Sequence, residues 1–97
     1  MRVSFNPDAL ADAETATRWY RDNGGLAPAD AFVRELRRIV NLASLQPGLG
    51  SPGPHGTTRL YLKRFPYTMV FRIQGEAIRV IAVAHQSRRP EYWAGRR

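Results

Sequence analysis

The sequence predicts an α+β fold of order β-α-α-β-β-β, with a helical hairpin packed on one face of a small, mainly antiparallel curved sheet. Three observations lead there. Two long segments repeat apolar residues at the 3.6-residue helical period. Three later segments alternate with period two and are rich in β-branched and aromatic residues. The 97 residues form one domain, spanning 1–97, with room for one modest core. A helical layer on one side of a sheet buries the apolar surfaces of both.

"MRVSF" opens as a short strand with Val3 and Phe5 on one side. "NPDALADAETATRWYRDNGG" follows as a helix. Asn6 is its N-cap, Pro7 suits the first helical position, and Asp8 complements the positive end of the helix dipole. Ala9, Ala13, Ala16 and Tyr20 share a stripe, with Leu10 beside it, and the small alanines permit close packing. Asn23, Gly24 and Gly25 end the helix. "PADAFVRELRRIVNLASLQ" is the second helix. Phe32, Leu36, Ile39, Val40 and Ala43 form its apolar face, with Arg34, Arg37, Arg38 and Asn41 opposite. The short connection between the helices favours an antiparallel hairpin.

"PGLGSPGPHG" is a loop by composition. It holds a literal G-x-G-x-x-G at Gly48, Gly50 and Gly53. A dinucleotide site needs a strand before that motif and a helix after it, whereas here a helix precedes and Pro52 and Pro54 interrupt. "TRLYLKRF" puts Leu60 and Leu62 on one face and Arg59, Tyr61 and Lys63 on the other. "YTMVFRIQ" groups Met69, Phe71 and Ile73 against Thr68, Val70 and Arg72. After a turn at Gln74, Gly75 and Glu76, "AIRVIAVAH" sets Ile78, Val80, Ala82 and Ala84 against Arg79, Ile81, Val83 and His85. The open face of the sheet is therefore expected to carry Arg72, Arg79 and His85.

Composition narrows the function. The chain has no cysteine, which removes disulfides and thiolate metal sites and is compatible with a reducing cytoplasm. Two distant histidines make no metal centre, and no cofactor motif is present. The opening segment lacks the apolar run of a secretory leader, and nothing approaches the roughly 20 apolar residues of a membrane span. The net charge is +7, and Lys63 is the single lysine among the cations. Such a surface attracts phosphates and acidic proteins, and arginine adds bidentate hydrogen bonds that lysine lacks.

Chemistry concentrates at the end of the chain, "VAHQSRRPEYWAGRR". A metal-independent ribonuclease needs a group to take the 2′-hydroxyl proton, cations for the charged phosphorane and an acid for the leaving oxygen. His85, Arg88, Tyr92, Arg64 and Arg79 are the candidates for that set. Otherwise His85 bonds within the fold, and Tyr92 and Trp93 pack the tail onto the sheet. Arg59, Lys63, Arg72 and Arg89, with Trp93, are candidates for gripping an anionic target or partner.

The order of elements, "FPYTMVFRI" and the closing "VAHQSRRPEYWAGRR" resemble the RelE/ParE toxins of bacterial type II toxin–antitoxin systems. "ADAETATRWY", "AFVRELRRIVNLASLQP" and "RLYLKRFPY" are similar to the corresponding family segments, so the resemblance covers essentially the whole chain. It implies a cytoplasmic, growth-arresting protein neutralised by a cognate antitoxin. The antitoxin is expected to be acidic, to fold on binding and to form a hetero-oligomer with the toxin. RelE-like members cleave messenger RNA on the ribosome, and ParE-like members inhibit DNA gyrase without being nucleases. Lys63, Arg64, Arg88, Arg89 and Tyr92 match the nuclease pattern. Pro66 and Tyr67 stand where that branch often has an arginine, and "RRPEYW" is similar to the ParE-like branch. The resemblance thus implies a gyrase inhibitor first and a ribosome-dependent endoribonuclease second. A non-toxic nucleic-acid-binding module is the third reading.

Overall fold

A computed structural model describes residues 1–97. Strand β1 (Arg2–Phe5) leads into α1 (Pro7–Gly24) and α2 (Leu26–Leu45). Strands β2 (Ser51–Pro52), β3 (Thr58–Tyr61), β4 (Tyr67–Gln74) and β5 (Ala77–His85) complete a five-stranded sheet of order β1-β5-β4-β3-β2. β1 runs parallel to β5, and the other pairs are antiparallel. This is the α+β arrangement expected, with both helices on one face. No helix is long and apolar enough to cross a membrane.

Local chemistry explains the helix ends. Asn6 Oδ1 accepts the Asp8 N–H at 2.7 Å and caps α1, with Pro7 at the first helical position. A single residue joins the helices: Gly25, at φ 91°, a conformation that costs glycine little. α2 starts two residues before Pro28, which still falls in the first turn, where its missing N–H costs nothing. Ala9, Ala13 and Ala16 of α1 pack with Phe32, Leu36, Ile39 and Ala43 of α2 over Met69, Phe71, Ile78 and Val80. Tyr20, Phe32, Phe65 and Tyr67 form an aromatic cluster at one end of this layer, with the Phe32 and Tyr67 centroids 5.1 Å apart. Burial pushes the Tyr20 and Tyr67 phenols above their ordinary pKa.

The sheet departs from simple alternation in one place. Val70 pairs with Ala82 but Phe71 pairs with Val80, so Ile81 is an extra residue in β5. This bulge reverses the parity of everything after it. Val83 joins the helix-side core, whereas Ile81 and Ala82 face the other way with Val70. The face assignment read from the sequence therefore holds through Ile81 and is wrong from Ala82 onward. His85 does not share the open face with Arg72 and Arg79. Its ring meets the helix-side Tyr67 edge-on, with centroids 5.0 Å apart.

Two further corrections concern β2 and β3. β3 ends at Tyr61, and 62–66 form a tight connection instead of continuing the strand to Phe65. The loop after α2 contains the two-residue strand β2, paired with β3. Gly50 permits this approach. A Cβ there would lie 2.4 Å from Thr58 Cγ2 and 2.8 Å from the Arg59 carbonyl oxygen. Gly50 thus serves backbone packing.

Candidate functional site

The reverse face of the sheet is covered by the chain's own C-terminus. Past His85 the backbone runs through successive turns to Arg97, and Trp93 buries against Val70, Ile81 and Ala82 with 5% of its surface exposed. The sequence-based picture of an open arginine face is thereby corrected. Arg72 is spent inside the fold, its Nε donating to the His55 carbonyl at 3.0 Å and its Nη1 to the Arg96 carbonyl at 2.7 Å. One guanidinium thus ties both the Pro/Gly loop and the tail to the sheet.

The tail is fastened from α1. The Asp12 carboxylate receives the Arg96 guanidinium at 2.7 Å, the Tyr92 hydroxyl at 3.1 Å and the Val83 N–H at 3.1 Å. Arg96 also donates to the Ile81 carbonyl at 3.1 Å. These bonds satisfy backbone groups on the edge of β5 beyond the reach of β1. The Arg88 guanidinium lies over the Tyr92 ring, 3.9 Å from its centroid. Burial first, then the Asp12 charge and hydrogen bond, push the Tyr92 phenol up to about 12. A second fastening joins His55 Nε2 to Glu91 Oε1 at 2.7 Å, and the His55 ring meets Trp93 edge-on. Asn6 Nδ2 holds the Arg97 carbonyl at 2.7 Å.

Beside the tail a cleft of about 360 Å³ remains, floored by Thr68, Val70 and Ala84 and walled by Arg59, Tyr61, His85, Arg88, Arg89 and Tyr92. Six of the ten candidate residues thus share it, Trp93 among them. Arg59 enters with Nη2 donating to the Pro52 carbonyl at 3.3 Å and with a buried Nε that has no partner in the chain. His85 Nδ1 accepts the Ser87 N–H at 2.9 Å, which leaves the proton of the neutral ring on Nε2. Arg64 and Lys63 lie elsewhere, on the connection between β3 and β4, in a depression bordered by α2. Arg79 is at the far end of β5, opposite Arg72.

A second concavity, about 650 Å³, runs between the two helices. Phe5, Ala13, Val33, Leu36 and Val40 give it an apolar floor, and Arg18, Arg21 and Arg37 stand on its rim with Glu14. Asp12, Glu91, Arg96 and the rim arginines of α1 are what the sequence did not single out. Asp12 reads as one more polar residue on α1, and only folding reveals its contact with residues some 80 positions away.

The family model of the ParE toxin of type II toxin–antitoxin system, parDE, matches residues 3–90. The chain belongs to the ParE toxin family. A solved chain described as the chromosomal ParDE TA system from P. aeruginosa is similar in fold, with TM-score 0.75 and 24% identity. The match covers 88% of this chain and 95% of that one. No curated protein sequence matches. The cleft beside the fastened tail and the interhelical groove are two of the surfaces this ParE-family chain offers.

Proposed function

We propose that this chain is the toxin of a type II toxin–antitoxin pair and arrests growth by binding DNA gyrase, without cutting nucleic acid. The observation that carries the proposal is the state of Tyr92. Its hydroxyl proton is committed to Asp12 and its pKa is raised to about 12, which makes it a weak acid already spent inside the fold. His85 Nδ1 already accepts the Ser87 N–H, so that nitrogen is not free to take a proton from a 2′-hydroxyl. Arg64 and Arg79 stand away from both. The cleft and tail then act as a rigid, cationic recognition surface. Purified protein added to gyrase and relaxed plasmid should suppress supercoiling. Supercoiling that proceeds unchanged at a large excess of toxin rejects the target.

The antitoxin partner is an acidic segment that folds on binding. The interhelical groove suits an amphipathic helix, since its floor is apolar and its rim carries three guanidinium groups. Charge reversal at Arg18 and Arg37 should weaken that complex and leave the isolated toxin folded.

One observation favours a second reading. Arg59, His85, Arg88, Arg89 and Tyr92 converge on a single cleft, as a ribosome-dependent endoribonuclease requires. Primer extension on ribosome-bound message separates the two. Cuts that disappear in His85→Ala or Tyr92→Phe establish the nuclease, and intact message removes it.

A further inference from the structure

The connection between β3 and β4 and the adjoining turns of α2 build a third surface, used by neither the cleft nor the groove. Arg34, Arg38, Lys63 and Arg64 surround a depression of about 360 Å³. Glu35 organises it. One carboxylate oxygen accepts Arg38 Nε at 2.7 Å, and the other accepts Arg38 Nη2 at 2.9 Å and the Lys63 N–H at 2.6 Å. The carboxylate is thus occupied on both oxygens, and it ties the connection to the helix. No acidic side chain pairs with Arg34, the Lys63 ammonium or Arg64, and all three are exposed. Arg64 sits at φ 70°, in the left-handed region where glycine would rest without strain. The chain keeps a cation at a position whose backbone favours no side chain at all.

The surroundings define the ligand. The only apolar lining comes from Ala31 and Phe65, and the Phe65 ring is already packed edge-on against Tyr20 and Phe32. An acidic peptide needs an apolar pocket for its anchors, and this surface offers none. A single nucleic-acid strand gains most from bases stacked on free rings, and none is free here. The backbone of a duplex is held by cations alone, through counterion release and bidentate guanidinium–phosphate pairs. We infer that the cluster of Arg34, Arg38, Lys63 and Arg64 is a docking site for the phosphate backbone of duplex DNA. The site does not depend on gyrase being the target, nor on where the antitoxin sits.

Fluorescence anisotropy with the full chain and a labelled mixed-sequence duplex, titrated over a range of salt, tests this. Each phosphate contact contributes about 0.9 to the slope of log affinity against log salt. Arg34→Gln with Lys63→Gln should lower the slope by about 2, and Arg64→Gly by about 1, at roughly 0.9 per contact. Arg64→Gly relieves the backbone, so it should melt no lower than the parent, and its result stands even if the double variant folds poorly. Arg2→Gln with Arg97→Gln removes as much charge elsewhere and should leave the slope unchanged. An equal fall in that control means diffuse attraction by net charge and overturns the site. Tighter binding of a single strand, or of a polyglutamate peptide, to the same residues overturns the duplex assignment.

Discussion

Asp12→Ala removes one carboxylate and strands three donors at once. The side chains of Asp12 and Arg96 are only 12% and 17% exposed, so the pair lies largely out of water. Losing one partner of a buried ion pair leaves an uncompensated charge, which costs about 3–5 kcal/mol. The Tyr92 hydroxyl and Val83 N–H lose their acceptor too, but the opened tail admits water to both, so the total stays in that range. Against a native stability of about 5–15 kcal/mol, this is a large fraction. At about 4–8 °C per kcal/mol for a domain near this size, the melting temperature falls by at least 12 °C or so. Thermal unfolding followed by circular dichroism reads it. Trp93 reports the mechanism, because Trp19, the other tryptophan, is 57% exposed and can be replaced by phenylalanine. In that background the emission of Trp93 should shift to the red in Asp12→Ala as the tail lifts. Pairing Asp12→Ala with Arg96→Met should restore part of the loss, with a coupling of about 1–3 kcal/mol. Additive losses, or a melting point lowered by less than about 4 °C, show that Asp12 does not fasten the tail.

Three other predictions follow from the same contacts. Trp93→Ala vacates the packing on Val70, Ile81 and Ala82 and should cost about 3–5 kcal/mol in urea unfolding, while the helix-side core is untouched. Alkali acts through Tyr92: an unfolded phenol ionises near pH 10 and the folded one at about 12. Its stabilising contribution is complete below pH 10 and lost as pH rises through 12. Screening at the partly open tail reduces the loss to roughly 1–2 kcal/mol. Tyrosinate absorbance should show one phenol titrating at about 12, and Tyr92→Phe should abolish that phase. Gly50→Ala drives a Cβ into Thr58 and the Arg59 carbonyl, so β2 should detach and hydrogen exchange accelerate at Arg59, at a cost of about 1–3 kcal/mol.

The parts of the fold legible in the sequence are those set by near neighbours. Asn6 and Pro7 announce the start of α1, Gly24 and Gly25 its end, and the turn at Gly75 fixes the β4–β5 hairpin between strands whose limits match the alternation. The bulge at Ile81 escaped because an apolar residue on either face obeys the same pattern in "AIRVIAVAH". That misplacement carried His85 to the wrong face. β2 escaped because its pairing rests on the close approach of Gly50 to β3 and on no strand propensity of Ser51 or Pro52. At the candidate site, the composition of the tail offers packing of Tyr92 and Trp93 onto the sheet as one of its readings, and Trp93 is 5% exposed. The fastening by Asp12 joins residues at opposite ends of the chain, and a single sequence holds no signal for such a pair.

The odd residue at Ile81 behaves like a dislocation in a crystal row. Before it, β5 points its even-numbered side chains at the helices, and after it, the odd-numbered ones. One strand therefore floors two layers at once, the hairpin on one face and the tail on the other. Deleting that one residue would restore plain alternation, with Val83 still against the helices and Ala82 still under the tail, at the cost of one side chain beneath Trp93. A strand without the extra residue would seat its last dozen residues on the same face, with its numbering out of step by one.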